Sequence, residues 1–235
     1  MFLIKMAEIV IAVDNKYEYV KRLCRNYIVS EEEAPQMTVS VSEEQIETEI
    51  SVSGREVSPA YAEGVCVYRN ICKQLPEKFG AFLMHCAVIE YEGEGYAFAA
   101  PSGTGKSTHI SMWQRRFGDG VRVINGDKPI MRFVGDRLYA YGTPWCGKEG
   151  MSENSSVPLK GICFLERAKE NSIRQITPAD ALTRIFQQIL TPDTLGAVDT
   201  LFPLLDRTLI EVPCYVLGCN ISPNAAEVAY NGMNK

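Results

Sequence analysis

The 235-residue sequence contains only two histidines, His85 and His109, and none of its eight cysteines forms a C-x-x-C pair. Structural zinc sites are usually built from Cys and His ligands at such short spacings, so we expect no zinc site. The cysteines lie mainly in apolar segments, as small buried residues do in a reducing compartment. We therefore expect eight free thiols in a cytoplasmic protein.

The sequence also lacks long apolar runs and an excess of positive charge. No stretch approaches the roughly 18 apolar residues of a membrane-spanning helix. Residues 1–13 are interrupted by Lys5 and Glu8 and have no small-residue cleavage site, which indicates a strand and not a signal peptide. The formal net charge is −5, whereas binding to nucleic-acid phosphates needs a basic surface. We expect neither a membrane nor a nucleic acid as partner, and homo-oligomer formation stays open.

A glycine-rich segment is the most informative feature that the sequence does contain. Residues 99–108 are AAPSGTGKST; they follow an apolar run at residues 95–98 and precede a stretch at residues 109–116 that suits a helix. Backbone N–H groups in such a loop can surround phosphate oxygens, and the start of the next helix adds its positive dipole end. This context predicts a P-loop of the pattern G-x-x-x-x-G-K-[ST], with Ala100 in place of the first glycine.

The P-loop pattern gives most of these residues a role. Lys106 would contact the β- and γ-phosphates, and the hydroxyl of Ser107 would bind Mg²⁺. Gly103 and Gly105 permit backbone conformations that a Cβ would disfavour. His109, on the following helix, is expected to be a surface or packing residue. The alternative is an ordinary loop in which a Ser or Thr caps that helix. The predicted nucleotide-binding residues are Ser102, Gly103, Thr104, Gly105, Lys106, Ser107 and Thr108.

Hydrophobic patterning divides the chain into two predicted parts, residues 1–56 and residues 57–235. The first is predicted to be a small N-terminal α/β lobe of β-α-β-β order, in which an apolar stripe marks the helix and strict alternation marks the last two strands. The predicted elements of this lobe are a strand at residues 8–13, a helix at 17–28 and strands at 38–42 and 46–53.

The second part is predicted to place the glycine-rich segment directly after a hairpin. Its predicted strands are residues 81–91, 95–100, 121–125, 130–134, 138–141, 159–166 and 208–217. Its predicted helices are residues 58–78, the segment from the glycine-rich loop to residue 117, a helix capped by Thr177, residues 192–205 and a short helix after residue 223. Hairpins on both sides of the loop, in place of β-α-β crossovers, disfavour a doubly wound parallel sheet.

Three segments carry a resemblance to a known superfamily. They are MHCAVI at residues 84–89, SGTGK at residues 102–106 and VINGDK at residues 123–128. Together they resemble the P-loop core shared by HPr kinase/phosphorylase and phosphoenolpyruvate carboxykinase, over residues 81–133 and more weakly to residue 174. The resemblance implies an α/β fold with a mixed, largely antiparallel sheet, and ATP and Mg²⁺ as cofactors.

The resemblance also implies a set of catalytic residues. Asp127 matches the acids at the strand end of those enzymes; with Ser107 it would hold Mg²⁺, or it would accept the proton of an attacking hydroxyl. His85 would orient or deprotonate that hydroxyl. Those enzymes have two adjacent acids, whereas Asp127 lies between Gly126 and Lys128. The plainer alternatives are an aspartate in a turn and a histidine packed in the sheet or at its edge.

The loop at residues 141–150 combines glycines and prolines with Trp145 and Lys148. Loops that contain such residues often line functional sites. Lys148 would stabilise charge on a transferred phosphoryl group, with Lys128 and Arg132 as alternative cations, and Trp145 would form an apolar wall. The alternative is an Ω-loop anchored by a buried tryptophan.

These observations predict an ATP- and Mg²⁺-dependent phosphotransferase that acts on a hydroxyl of a small protein, a peptide or a small molecule. ATP rests on the resemblance alone, since the sequence has no signature that distinguishes adenine from guanine. Two other interpretations stay open. One is a nucleotide-binding regulatory or assembly module without transfer activity, and the other is a simple ATPase or GTPase.

Overall fold

Two β-sheets and seven α-helices form a mixed α/β fold in residues 1–54, 56–192 and 194–235, which the computed structural model describes. The strands are β1 (Phe2–Met6), β2 (Ile9–Asp14), β3 (Met37–Ser40), β4 (Ala81–Leu83), β5 (Cys86–Tyr91), β6 (Glu94–Ala99), β7 (Arg122–Asn125), β8 (Ile130–Val134), β9 (Arg137–Tyr141), β10 (Ser156–Arg167), β11 (Ser172–Gln175) and β12 (Cys214–Cys219). The helices are α1 (Glu18–Leu23), α2 (Glu43–Val52), α3 (Pro59–Phe79), α4 (Lys106–Phe117), α5 (Pro178–Phe186), α6 (Leu195–Glu211) and α7 (Asn224–Met233).

The N-terminal part has a three-stranded sheet and differs from its prediction at helix α2. Strands β1 and β2 form an antiparallel hairpin, and β3 pairs in parallel with β2. The predicted strand at residues 46–53 is wrong, because this segment lies in α2. The hydroxyl of Ser42 accepts the Gln45 N–H while the Gln45 side chain accepts the Ser42 N–H, and this capping box fixes the start of the helix. The prediction also had one strand where β1 and β2 form a hairpin, so the order is β-β-α-β-α.

Helix α3 joins the N-terminal sheet to the rest of the chain. Its carboxylate Glu63 is fully buried and accepts hydrogen bonds from the backbone N–H groups of Lys16, at 2.5 Å, and Tyr17, at 3.0 Å, just before α1. One apolar core contains side chains of β1, β2, β3, α3 and β4 together with Ile130 and Tyr141. The N-terminal elements thus pack directly against the second sheet.

The larger sheet is organised around the long strand β10. The first residues of β10 pair antiparallel with β9, whereas its later residues pair in parallel with β6 on one side and β12 on the other. The remaining pairings among the described strands of this sheet are antiparallel. The sheet is therefore mixed and largely antiparallel, as the resemblance implied.

Two helix layers cover this sheet, and they set the position of the glycine-rich loop. Helices α5 and α6 pack on one face and α4 and α7 on the other. The hairpin β5–β6 delivers the chain to the loop, and α4 follows directly. Of the helices in the described part of the chain, none has the length and apolar content needed to span a bilayer.

Two predicted strand boundaries are wrong. The predicted strand at residues 81–91 is broken at His85, because β4 pairs with β8 whereas β5 pairs with β6 and β7. The predicted strand at residues 208–217 starts too early, since α6 continues to Glu211 and β12 begins at Cys214. Helical spacing explains the longer helix, and its buried core residues include Leu201, Leu205 and Leu209.

Candidate functional site

The glycine-rich loop, residues 100–105, ends at a helix terminus with no side-chain cap. Gly105 is the residue before α4; it has a φ of 128°, and no side chain caps the helix. A glycine at this position offers no side-chain acceptor to the N–H groups of the first helical turn, and the helix dipole favours an anion beside them. The alternative of a helix capped by Ser or Thr is not what the structure has.

A row of polar contacts crosses the site next to this loop. The Lys106 ammonium donates to the carbonyl of Ala100 at 3.1 Å and lies 3.0 Å from Nε2 of His85. The same Nε2 is 3.0 Å from Oδ1 of Asp127. Because one nitrogen makes both contacts, it accepts from Lys106 in one protonation state and donates to Asp127 in the other. The structure thus brings together Lys106, His85 and Asp127.

The charges of this row modify one another. The Lys128 ammonium lies 2.5 Å from Oδ2 of Asp127. Burial raises the pKa of Asp127, but the hydrogen bond to His85 and the charge of Lys128 lower it by more, so this pKa is held well below its usual range. Burial lowers the pKa of Lys106, an effect that the Asp127 carboxylate opposes. Asp127 is accordingly an ionised carboxylate at neutral pH.

Asn125, at the end of β7, positions Asp127. The side chain of Asn125 is fully buried; its Oδ1 accepts the N–H groups of Asp127 at 2.9 Å and Lys128 at 2.6 Å. Its Nδ2 donates to the carbonyl of Thr143 at 3.0 Å, and Thr143 Oγ1 donates to the Lys128 carbonyl at 2.7 Å. We assigned no role to Asn125 from the sequence, although an Asn before Gly at a strand end is a known turn signal.

Gly126, next to Asp127, lies close to the backbone of two other segments. A Cβ at Gly126 would lie 2.9 Å from the carbonyl oxygen of Cys146 and 3.4 Å from that of Met151. The N–H of Gly126 also donates to the Met151 carbonyl at 2.9 Å, which holds the two segments together. The loop at residues 142–150 therefore leaves no room for a side chain at this position.

A cleft of about 740 Å³ contains most of the predicted site residues. One wall is the loop and the start of α4, and the opposite wall comes from α1, α3 and the loop at residues 142–150. Among the predicted residues, Thr104 lies at a second cavity instead. The predicted residues that line the cleft are His85, Ser102, Gly103, Gly105, Lys106, Ser107, Thr108, Asp127 and Lys148.

The other predicted residues of the site have definite positions. Trp145 is half-buried, its Nε1 donates to the carbonyl of Gly64 at 3.0 Å, and it lines the cleft, so it both anchors its loop and forms an apolar wall. Lys148 is exposed at the cleft. Lys128 contacts Asp127, whereas Arg132 donates to the carbonyl of Ala7 in the β1–β2 turn.

The second cavity, of about 510 Å³, adjoins the loop at the ends of β10 and β12. Its lining includes Gly103, Thr104 and Gly105 from the loop and Cys219 from β12. Arg167, at the end of β10, donates to the carbonyl of Gly103 at 2.8 Å and to that of Thr104 at 3.4 Å. The sequence predicts no role for Arg167, because no local motif marks it.

The side chains beside the loop suit Mg²⁺ bound together with a phosphate. Ser107 and Asp127, whose side chains carry a hydroxyl and a carboxylate, both line the same cleft. Within the described ranges, no group of three or more His, Cys, Asp or Glu side chains is arranged to hold a metal ion. Mg²⁺ is commonly held by one or two carboxylates and by substrate phosphates, and this donor set fits that pattern.

Comparisons with known proteins give one family and one distant structural similarity. The model of the family described as SynChlorMet cassette protein ScmC matches residues 65–191. The search of curated proteins found no match. A solved structure, the Hpr(Ser) kinase/phosphatase from Coxiella burnetii, is similar at 10% identity and a TM-score of 0.39, covering 63% of this chain and 88% of that chain. Because the family model matches more than half of the sequence, this chain belongs to the family of SynChlorMet cassette protein ScmC.

Proposed function

We propose that this protein binds a nucleoside triphosphate with Mg²⁺ at the glycine-rich loop and transfers its terminal phosphoryl group to a hydroxyl in the cleft. The row of contacts from Lys106 through His85 to Asp127, beside an uncapped helix terminus, carries the proposal. These groups combine an anion site, a cation, a carboxylate and a proton acceptor within one cleft, as phosphoryl transfer requires.

The loop and Lys106 would bind the phosphates. The N–H groups at the start of α4 supply donors, and the helix dipole supplies partial positive charge. Lys106 now donates to a carbonyl and contacts an imidazole, and both are weaker partners than a phosphate oxygen. Its ammonium would therefore move onto the triphosphate and free the lone pair of His85 Nε2, which had accepted from it.

Ser107 and Asp127 would hold Mg²⁺ together with phosphate oxygens. The ion, when bound, neutralises charge that develops on the phosphates during transfer. Asp127 suits this role because its pKa is held well below its usual range, so the carboxylate stays ionised. Asn125 fixes the turn from which this carboxylate projects.

His85 would take the proton of the acceptor. The acceptor oxygen forms a bond to the γ-phosphorus, and the bond from that phosphorus to the β–γ bridging oxygen breaks. The nucleoside diphosphate leaves with the electron pair, and the hydroxyl proton passes to the free lone pair of His85 Nε2. The new Nε2–H then donates to Oδ1 of Asp127, which lies 3.0 Å away. Lys148, exposed at the cleft, would offset charge on the transferred group.

The second cavity would hold the nucleoside. It shares Gly103 and Gly105 with the cleft, so a ligand with its phosphates on the loop reaches it directly. Arg167 would keep the loop in shape there through its contacts with two loop carbonyls.

A nucleotide-binding module without transfer activity is the second candidate. Gly126 favours it, because the close approach of the Cys146 carbonyl excludes a second acid beside Asp127. A protein that holds nucleotide but has one carboxylate would serve regulation or assembly. Incubation with γ-labelled ATP or GTP and cell extract separates the candidates. A labelled acceptor supports the transferase, and free phosphate supports a hydrolase. The absence of both products supports the module.

Titration calorimetry with Mg-ATP tests the common part of both candidates. We expect Lys106→Ala to weaken ATP binding at least about tenfold, because it removes a charge-assisted contact to phosphate. Adenosine binding should change by less than about twofold. Arg115→Ala, at an exposed position on the same helix, is the matched control and should bind ATP like the wild type. Equal ATP affinity of Lys106→Ala and wild type would overturn the proposal.

A further inference from the structure

The cleft extends beyond the phosphate loop to three aromatic side chains of other segments. Tyr19 comes from α1, Tyr61 from the first turn of α3 and Trp145 from the loop at residues 142–150, and all three line the cleft. We call these three side chains the aromatic wall. Tyr61 keeps 38% of its surface exposed, and Tyr19 and Trp145 are half-buried. The wall is therefore open to a ligand in the cleft.

Packing around Gly64 on α3 holds two members of the wall in place. A Cβ at Gly64 would lie 3.0 Å from the Tyr19 ring, so this ring rests directly on the helix backbone. Trp145 donates to the Gly64 carbonyl and packs against Tyr68 with ring centroids 5.8 Å apart. Tyr61 lies 6.2 Å from Tyr19 at a tilt of 50°. A preorganised aromatic surface binds apolar groups without the cost of ordering its own side chains.

The position of the wall relates it to the acceptor and not to the nucleotide. The wall shares its cleft with His85, Asp127 and Lys148, the groups assigned to the transfer step. The cavity that would take the nucleoside lies at the ends of β10 and β12 and has none of these side chains in its lining. A molecule resting on the wall would have its hydroxyl beside His85 and Asp127.

We propose that the aromatic wall binds the phosphoryl acceptor, and that this acceptor carries an aromatic or branched apolar group next to its hydroxyl. The inference rests on the proposed function, since the wall selects the molecule whose oxygen attacks the γ-phosphorus. It makes Tyr19 and Tyr61, from the first helix and the start of α3, specificity-determining residues. A serine or threonine followed by an aromatic residue, or a free aromatic alcohol, has this chemistry.

Matched probes test this inference and distinguish the two sources of the acceptor. The peptide pair is N-acetyl-seryl-phenylalanine amide and N-acetyl-seryl-alanine amide, and the small-molecule pair is 3-phenylpropane-1,2-diol and propane-1,2-diol. Binding is measured by titration with and without Mg²⁺ and a non-hydrolysable ATP analogue, and transfer by labelled product from ATP. We expect the phenyl member of at least one pair to bind at least about tenfold more tightly, in line with burial of one aromatic ring.

Variants then locate the preference on the wall. Tyr61→Ala should reduce the ratio of the two probe affinities to less than about threefold, whereas Tyr61→Phe, which keeps the ring, should retain it. Tyr17→Ala is the matched control, because Tyr17 is also exposed near α1 but lies outside the cleft lining.

The outcomes separate this inference from the proposed function. If the protein binds the ATP analogue but prefers neither phenyl probe over its matched partner, the inference about the wall is overturned and the proposed function is not. Weaker binding of adenosine to Tyr61→Ala, with unchanged probe binding, assigns the wall to the nucleoside and also overturns it. A protein that binds the phenyl probes but no nucleotide overturns the proposed function and leaves the wall as a binding site for apolar hydroxyl compounds.

Discussion

The two histidines lie in contrasting regions on either side of the glycine-rich loop. In the cleft region, His85 is partly exposed and contacts Lys106 and Asp127. In the core region below α4, His109 is 3% exposed and its Nε2 accepts the indole N–H of Trp113 at 3.0 Å. The same side chain is surrounded by charge in one region and by aromatic rings in the other. The groups around a histidine, more than the residue type itself, therefore decide its role.

Electrostatics make the contrast quantitative. Burial lowers the pKa of His109 to about 3, so this imidazole is neutral at physiological pH and serves as a hydrogen-bond acceptor in the core. In the cleft, by contrast, the charged form is favoured: His85 and Lys128 keep the Asp127 carboxylate ionised despite its burial. The core region keeps the His109 side chain neutral, and the cleft region keeps the Asp127 side chain charged. Substitutions in the two regions should therefore affect different properties.

The largest expected effect is that of Asp127→Asn, which removes the charge and keeps the size. We expect turnover to fall at least about a hundredfold, as for loss of a metal ligand or of an acid–base group. ATP affinity should change by less than about tenfold, because in the proposed site the loop and Lys106 hold the phosphates. Turnover is measured with the cognate acceptor, or with water if none is found.

Asp119→Asn is the control for this substitution, because Asp119 is an exposed acid after α4. It should keep wild-type turnover. Wild-type turnover in Asp127→Asn would show that Asp127 is a turn residue and that the cleft region differs from the core region in charge but not in function.

Most residues of the predicted site line one cleft, whereas several predicted boundaries of strands and helices are wrong. Sequence motifs are local. Lys106 and Ser107 are consecutive residues of the loop pattern, so their proximity does not depend on where β6 ends or where α4 begins. Pairing between strands is not local: the break at His85 exists because β4 and β5 have different partners, and no residue near position 85 states this. The polar chain from Asn125 to Thr143 is likewise formed by segments 18 residues apart.

At helix α2 two local signals conflict: alternation predicts a strand, whereas the capping box predicts a helix. The alternation at residues 46–53 suggested a strand, yet Ser42 and Gln45 have the spacing of a capping box. In the structure Ile46 and Glu49 are buried on one face of the helix, and Glu49 pairs with Arg69 of α3. The alternation pattern treats Glu49 as exposed. Glu49 can be buried because Arg69, on another helix, supplies the opposite charge.

The second expected effect concerns stability in the core region and depends on pH. The folded pKa of His109 is about 3, below the value of about 6.5 in an unfolded chain, so the unfolded state binds a proton that the folded state does not. The stability from neutral His109 is fully present above pH 6.5 and is lost progressively as the pH falls towards 3. We expect this group alone to lower the free energy of unfolding by about 2 kcal/mol between pH 7.5 and pH 5.

Urea unfolding at several pH values isolates this contribution. His109→Gln keeps an acceptor for Trp113 but has no titratable group, so its stability should lack the His109 component of the pH dependence. His85→Gln is the matched control, since these are the two histidines of the sequence, and it should keep that component. An unchanged pH dependence in His109→Gln would place the protonation elsewhere and remove the contrast between the regions.

The smallest expected effect is a difference in thiol reactivity between the two regions. All eight cysteines are free thiols in the structure. Cys146 is half-buried in the cleft and Cys219 half-buried at the second cavity, whereas Cys86, next to His85, is fully buried and burial raises its pKa far above the usual range. Thiolates react and buried thiols do not, so iodoacetamide should modify Cys146 and Cys219 at least about tenfold faster than Cys86 in the native protein.

The alkylation of each cysteine is measured by mass spectrometry of the digested protein, and it is repeated with ligands bound. Tripolyphosphate with Mg²⁺ would fill only the proposed phosphate site, so it should slow alkylation of Cys146 by about threefold and leave Cys219 unchanged. Mg-ATP should slow alkylation of both cysteines, because its nucleoside would reach the second cavity. Denatured protein without reductant should take up eight alkyl groups. A deficit that reductant restores would reveal a disulfide, and equal protection of Cys219 by tripolyphosphate and ATP would contradict the assignment of the second cavity to the nucleoside.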